Sequence, residues 1–572
     1  VIKKLIVEQV KEELLKAFGS LTEVKSLEVE ATKDEKFGDY QCSLALKLSK
    51  QLQKSPKEIA ERVVSELKHT PFFEKVEIAG AGFINITLSD EKLAFWANQC
   101  LEDRDLLIQK EKKEKVIVEF SSPNIAKSMH VGHLRSTIIG DSIARLMEFL
   151  GYNVLCLNHV GDFGTQFGML IAYLKKYKPH ALLNDQKSDL DELVIWYKAA
   201  KKKFDEDPNF KQIAREEVVH LQNGEKDSVS AWENICNISR DGFSKIYDML
   251  DVKIIERGES FYNPLLKKVV DDFKKSGIAQ ENDGAICVFM EGFTNKDNDP
   301  LPLIIQKSDG GYNYATTDLA AFYYRVNSDK AKRIIVVTDL GQKMHFSMVE
   351  KAAELIGYID PKKVRFDHVP FGLVLSPDGT KYKTRAGETE KLSDLLEEAV
   401  DKAKALLDER GIEDNYEIAK VLGISAIKYA DLSSNRIKDY SFSYDRMLKF
   451  EGNTSSFILY SYVRIQSLKR KSGISIDSIK KEKIKIFHPS ERALILHLCR
   501  FGEVLQKIKE DLLPHHLTDY LYHLAEKFNA FFRDCQIVGD ENMHSRLLLS
   551  DLCGRHIEKG LYILGIKTIS RM

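Results

Sequence analysis

Apolar and charged residues alternate at helical spacing over residues 1–18, which predicts an amphipathic helix at the start of the chain. A strand-like run over residues 76–88 follows, broken by the turn-forming Gly80-Ala81-Gly82. Together they predict a small α+β unit over residues 1–110, and the charged string 110–115 reads as a linker.

Past the linker the period changes. A β-branched run at 116–120 leads into the polar turn Ser121-Ser122-Pro123-Asn124, then a helical pattern at 132–150 that Gly151 ends, then a second strand at 154–160. Strand, loop, helix, strand is the grammar of a parallel sheet, which collects its ligands at the carboxyl ends of its strands. Those ends fall at 122–132 and 158–166. Residues 171–250 are charged and helical and read as an insertion, after which the sheet resumes with strands at 303–306, 333–338 and 364–371. Beyond about residue 391 the pattern is helical nearly to the end, with long amphipathic stretches at 491–513 and 517–532. The expected architecture is multidomain α/β. It has an N-terminal α+β domain (1–110), a Rossmann-like parallel-sheet catalytic domain (113–390) with its helical insertion, and an all-α C-terminal bundle (391–572).

Composition narrows the function. No run approaches the roughly 18 consecutive apolar residues of a membrane span, and acidic residues in the first helix speak against a signal or transit peptide, so a cytoplasmic protein is expected. The eight cysteines form no C-x-x-C pair, which argues for reduced thiols and no zinc site. A net charge of -1 excludes nucleic-acid binding through a uniformly basic surface. One local patch remains, with 8 Lys/Arg against Asp477 and Glu482 over residues 461–487.

The chemistry concentrates in Ser122-Pro123-Asn124-Ile125-Ala126-Lys127-Ser128-Met129-His130-Val131-Gly132-His133, where a strand gives way to a helix. Backbone N–H groups at a helix start attract phosphate, two imidazoles three apart can flank a phosphate chain, and the bare Gly132 between them admits a flat base. This predicts a nucleotide site. A second cationic loop, Lys381-Tyr382-Lys383-Thr384-Arg385, could follow charge that develops on a departing phosphate. On residues alone, two rivals stand beside a ligase: a nucleotidyltransferase acting on a small metabolite, and a catalytically dead RNA-binding scaffold.

His130-Val131-Gly132-His133 resembles the HIGH motif of class I aminoacyl-tRNA synthetases. With Ser122-Pro123-Asn124, the stretch Gly161-Asp162-Phe163-Gly164-Thr165-Gln166-Phe167-Gly168, Tyr314-Ala315-Thr316-Thr317-Asp318-Leu319-Ala320 and Gln342, the order and spacing resemble arginyl-tRNA synthetases over nearly the whole chain. The resemblance implies ATP-dependent attachment of L-arginine to its tRNA through an adenylate, with Mg2+ accompanying ATP. It assigns catalysis to His130, His133, Lys127, Lys381, Lys383 and Arg385, the loop departing from KMSKS in having Thr384-Arg385 where Lys-Ser would stand. ATP would lie on His130, Gly132, His133 and Lys381. Arginine would be held by Glu119, Ser122, Pro123, Asn124, His133, Tyr314, Asp318 and Gln342, with His159 and Asp162 in support. Carboxylates and carbonyls suit the planar guanidinium, although Asp318 alone reads equally as a helix cap and Glu119 as a charged strand end. The tRNA would meet Phe83 and Asn85 in the first domain, where Phe37-Gly38-Asp39-Tyr40 is another recurring word. In the last domain it would meet Phe457, Tyr460, Arg464, Lys469 and Arg470. On its own that aromatic stripe also reads as core. The resemblance further implies a monomer, leaving membership of a larger synthetase assembly open, and dependence of the first step on tRNA.

Overall fold

The computed structural model describes residues 2–19, 27–32, 34–182, 188–376, 378–380, 390–412 and 415–572. In the first domain Ile2, Ile6, Val10 and Leu14 recur at helical spacing on Ile2–Phe18 and are buried. The strands β1 (Val29–Ala31), β2 (Tyr40–Cys42), β3 (Phe73–Ala79) and β4 (Phe83–Leu88) form an antiparallel sheet in the order β1-β2-β4-β3. The run at 76–88 is thus the two arms of a hairpin. At its turn Gly82 has φ 128°, and a β-carbon there would lie 2.9 Å from Pro56.

Five parallel strands make the central sheet: β5 (Lys115–Glu119), β6 (Asn153–Asn158), β7 (Ile255–Glu256), and, after an intervening hairpin unit, β11 (Arg333–Asp339) and β12 (Arg365–Phe371). Their order is β12-β11-β5-β6-β7. Side chains alternate between two cores: Val116 and Val118 join the one under the histidine helix Val131–Phe149, Ile117 and Leu157 the one under helix Tyr314–Asn327. The intervening unit is β8 (Ala279–Asn282), β9 (Ala285–Val288) and β10 (Leu303–Gln306), a separate antiparallel sheet. This corrects the expectation that the strand at 303–306 belongs to the parallel sheet. Its residues alternate buried and exposed, whereas the middle of β5 and of β11 is buried on both faces.

Four helices, Thr165–Tyr177, Leu190–Glu206, Pro208–Gln222 and Lys226–Leu250, lie between β6 and β7. Among the described residues the C-terminal part is helical apart from β14 (Tyr440–Ser441), which pairs with β13 (Val374–Leu375), the strand that precedes the cationic loop in sequence. The stretch at 491–513 is two helices, Pro489–Cys499 and Phe501–Asp511, meeting at Arg500. That corner docks the first domain. Arg492 pairs with Asp39 at 2.8 Å and with Asp90 at 2.8 Å, Arg500 donates to the Asp39 carbonyl at 3.0 Å, and the Tyr40 hydroxyl donates to Glu503 at 2.8 Å. Asp39 and Tyr40 are therefore buried between domains rather than presented to RNA. Among the described residues no helix is long and apolar enough to cross a membrane.

Candidate active site at the strand ends

The loop leaving β5 is held in a conformation that side chains disfavour. Ser121, Ser122 and Ala126 have φ of 69°, 48° and 61°, each costing about 1 kcal/mol. Polar contacts offset this: Ser121 N donates to Ser136 Oγ at 3.0 Å, Ser122 N to Asn158 Oδ1 at 2.9 Å, and Ala126 N to Ser239 Oγ at 3.0 Å. Tyr247, on the last insertion helix, bonds Ser121 Oγ at 2.8 Å and receives Asn158 Nδ2 at 3.0 Å. The neighbouring strand end is laced to the same loop, Gly161 N to Pro123 O and Ile125 N to Gly161 O, both at 3.1 Å. Gly161 leaves room for Asn124, whose Oδ1 would lie 2.2 Å from a β-carbon at 161.

At the start of the histidine helix the imidazoles cap the backbone. Gly132 N donates to His130 Nδ1 and His130 N donates to His133 Nδ1, both at 3.1 Å, with ring centroids 4.1 Å apart. An Nδ1 that accepts leaves the proton on Nε2 of the neutral ring. Burial, with the charge of Lys127 adding to it, pushes His133 down to about 3. His133 is therefore a neutral N–H donor beside the N-terminal amides of a 19-residue helix.

Lys127 is exposed, its Nζ 5.7 Å from the Tyr197 ring of the insertion. Lys381, Lys383 and Arg385 lie outside the described residues. The flanks of their loop are placed: Ser376 N donates to Thr380 O at 2.8 Å, and beyond the loop Lys391 bridges His130 while Leu392 N donates to Met129 O at 2.9 Å. The chain thus returns from that loop directly onto the histidines.

Acidic groups gather at the other strand ends. Asp318 pairs with His345 at 2.6 Å; burial opposes the imidazolium, but the hydrogen bond and charge of Asp318 outweigh it and raise the His345 pKa. Tyr314 is 68% exposed at the N-terminus of its helix, available to a ligand, and Gln342 is exposed with Nε2 on Asp339 at 3.2 Å. Asp162 accepts from Ser260 N at 2.8 Å and Ser260 Oγ at 2.6 Å, tying β6 to the end of β7. At Glu119 the structure departs from the sequence expectation. Its buried carboxylate pairs with buried Arg325, which points it under the floor of the site instead of leaving it open to a substrate.

Sequence reasoning missed Glu259. It follows β7, on the third adjoining strand end, where burial and then the charges of Asp318 and Asp162 push its carboxyl up to about 8. Its only sequence signal was an acidic residue after a glycine at the close of the insertion. A carboxyl group desolvated beside two carboxylates is a place for a cation.

The RNA-side candidates divide. Tyr460 is 41% exposed, with Arg464 stacked on its ring at 4.8 Å and bonded to Asn529 at 2.6 Å. Phe457 is half-buried against Tyr522, ring centroids 5.8 Å apart. Lys469 is spent on Asp551 at 2.6 Å and Arg470 on the Ser570 carbonyl at 3.0 Å. Phe83 is partly exposed at the start of β4, but Asn85 is buried and accepts from Gln41 at 2.8 Å. Asn85 is thus taken up inside the protein and Lys469 is paired with a neighbouring helix, while Arg470 stays exposed with one bond to the C-terminal segment.

Three family models match: tRNA synthetases class I (R), catalytic domain, over residues 97–444; the DALR anticodon binding domain over 458–572; and the arginyl tRNA synthetase N terminal domain over 4–88. The chain is similar to the arginine–tRNA ligase of Protochlamydia amoebophila, 53% identical over 95% of this chain and 94% of that one. It is 50% identical to that of Crocosphaera subtropica over 100% of both chains. Among solved structures, the arginyl-tRNA synthetase of Plasmodium falciparum superposes with a TM-score of 0.87 at 36% identity, covering 100% of this chain and 99% of that one. The Thermus thermophilus arginyl-tRNA synthetase shares the fold, with a TM-score of 0.81 at 24% identity over 100% of both chains.

Proposed function

The chain belongs to the class I arginyl-tRNA synthetases, attaching arginine to tRNA for protein synthesis, and from that premise we propose how its residues divide the work. ATP lies against the histidine helix, with its phosphates on the Nε2–H groups of His130 and His133 and the first-turn amides, and its base over Gly132. His133 donates as a neutral group beside His130, so it stabilises charge as it develops without first giving up a proton. Lys127, Lys381, Lys383 and Arg385 supply positive charge to the departing pyrophosphate. Magnesium enters with ATP as a chelate of its phosphates.

Arginine occupies the groove between Asn124, Tyr314, Asp318 and Gln342, with Ser122 and Pro123 shaping one wall. Glu259 and Asp318 form the acidic end that faces the guanidinium, and Glu119 fixes the floor through Arg325. Lysine would leave acceptors of this fork unpaired, a loss of roughly 10⁴ to 10⁵ in discrimination that makes editing unnecessary. The arginine carboxylate attacks the α-phosphate of ATP, pyrophosphate leaves, and a terminal ribose hydroxyl of tRNA displaces AMP from the adenylate. On the RNA side, Tyr460 and Arg464 offer a stacking face to an unpaired base, flanked by Phe457. The enzyme acts in the cytoplasm as a monomer, its three units covering residues 1–110, 113–390 and 391–572.

The observation that carries this reading is the imidazole pair capping a helix beside a convergent set of carboxyl groups. Charging of unfractionated tRNA with each labelled amino acid tests it: arginine alone is expected to be attached, and attachment of lysine at a comparable rate would overturn the fork.

A further inference from the structure

Arg135 lies two residues beyond His133 on the histidine helix and is fully buried. Its Nε pairs with Asp431 at 3.1 Å, and its Nη1 donates to Gly372 O at 2.7 Å and Lys438 O at 3.2 Å. Each partner belongs to a different element. Asp431 is on the helical domain's Tyr416–Ser433, Gly372 follows β12 and opens the path through β13 to the cationic loop, and Lys438 precedes β14, which pairs with β13. Gly372 is held tightly there, since a β-carbon would lie 2.5 Å from Asp439 Oδ1.

The same two helices meet a second time at Gly565. Lys428, three residues before Asp431, lies beside Asp141 of the histidine helix and donates to Gly565 O at 2.7 Å. A β-carbon on Gly565 would lie 2.6 Å from Asp141 Oδ2 and 3.0 Å from Lys428 Nζ, so these groups share one small space. Asp141 makes its ion pair with Arg145 of its own helix at 2.8 Å, so the Arg135–Asp431 pair and the shared space at Gly565 are the two points that seat one helix on the other. Between them, Tyr429 points the other way: its hydroxyl donates to Asn453 at 2.6 Å, in the loop just before the helix that carries Tyr460 and Arg464.

We propose that helix Tyr416–Ser433 is the link through which tRNA on the helical domain sets the active site, with the Arg135–Asp431 pair as its positioning contact. A shift of that helix reaches the histidines through Arg135 and the base of the cationic loop through Gly372 and Lys438. The buried Arg135 guanidinium is tied to three elements at once, so a displacement of one is carried to the others. Neither residue contacts the substrates; both act by holding the two signature segments in one frame. The proposal rests on the reading above.

The experiment compares wild type, Asp431→Asn and Arg135→Lys with Glu491→Gln as a control. Glu491 also pairs with a buried arginine, Arg546, at 2.7 Å, but inside the helical domain and away from the link. Melting temperature, tRNA charging, and pyrophosphate exchange with and without tRNA are measured well below the melting point. The expectation is that Asp431→Asn loses about tenfold to 10²-fold in kcat with KM for arginine and ATP nearly unchanged. Its tRNA stimulation of exchange should shrink with kcat, Arg135→Lys should recover part of both, and Glu491→Gln should lower only the melting temperature. Folded Asp431→Asn with wild-type kcat and stimulation, or an equal kcat loss in Glu491→Gln, would overturn the proposal. Absence of arginine charging by wild type would instead sink the functional reading itself.

Discussion

Gly132 sits so close beneath His130 that a β-carbon at position 132 would lie 2.9 Å from His130 Cε1 and 3.1 Å from Nδ1. The glycine is needed there for space and not for its dihedral angles, because it lies in the first turn of a regular helix. Gly132→Ala therefore separates stability from chemistry. Helix propensity alone would favour alanine by up to about 1 kcal/mol, while the displaced imidazole loses its cap and its aim. The expected outcome is an unchanged or slightly higher melting temperature with adenylate formation slowed by about 10²-fold. Stopped-flow or exchange kinetics beside a thermal melt decides it, and near-normal kinetics would mean the His130 ring position is not used.

Glu259 gives a pH signature to arginine binding. With its carboxyl pushed up to about 8 by burial and by the neighbouring charges of Asp318 and Asp162, the free protein keeps that proton at neutral pH. A guanidinium arriving there favours the carboxylate, so binding releases the proton. The sign follows: affinity for arginine rises as pH goes from about 6 to about 8 and then levels. For folding the sign is opposite. The folded protein holds a proton that the unfolded carboxyl gives up near 4.5, so stability falls as pH rises from about 4.5 to about 8 and is flat above that. Calorimetry in buffers of different ionisation enthalpy measures the proton directly. Glu259→Gln should abolish the release and raise the arginine KM about 30-fold to 10³-fold while sparing that of ATP; proton release that persists in the variant would assign it elsewhere.

Much of this was legible in the sequence because the signals were local. The βαβ grammar, the two strand ends and the histidine pair each depend on a few consecutive residues, and the structure places them together. What the sequence hid depends on partners far along the chain. Phe37-Gly38-Asp39-Tyr40 reads as a recurring word with no stated job until Arg492, Arg500 and Glu503, more than 450 residues on, are seen to engage Asp39 and Tyr40. Glu119 looked like a substrate acceptor because nothing near it in sequence announces Arg325. Lys469 and Arg470 looked like phosphate ligands, but Asp551 and the Ser570 carbonyl, on later segments, engage them. The strand at 303–306 was recognised as a strand but assigned to the wrong sheet, since a short apolar run does not say which neighbour it will pair with.

Two histidines remote from the site set an acid limit on stability. His497 and His556 are buried, their rings facing the carbonyls of Tyr520 at 2.9 Å and Leu552 at 2.8 Å, and burial pushes them down to about 3 and about 4. In the unfolded chain each titrates near its ordinary value of about 6.5. Between those values the unfolded state binds protons that the folded state does not, so stability falls as pH drops below about 6.5. The slope approaches about 1.4 kcal/mol per pH unit for each histidine. Urea unfolding at pH 7, 6 and 5 measures it. His556→Asn, which keeps a donor near Nδ1 but cannot titrate, should lower the slope by one histidine's worth, and an unchanged slope would place the proton uptake elsewhere.

The helical domain distinguishes cations that are available to RNA from cations that are not. Tyr460 is exposed, and Arg464 lies over its ring at 4.8 Å and over Phe532 at 4.9 Å, so the guanidinium backs the tyrosine ring as a stacking platform. A base stacked on such a platform contributes about 1–3 kcal/mol. Tyr460→Ala should therefore raise the KM for tRNA by about tenfold to 10²-fold without changing exchange kinetics at saturating tRNA. Lys469 carries the same charge as a phosphate-binding lysine, but its partner Asp551 already neutralises it. Lys469→Ala should leave both the tRNA KM and the dependence of log KM on log salt nearly unchanged, since no counterion release is lost with it. Its cost should appear in thermal stability, because Asp551 is left partly buried without its cation. Measuring the salt dependence of tRNA KM for both variants separates the two roles: a shallower slope in Lys469→Ala would return that lysine to the RNA interface.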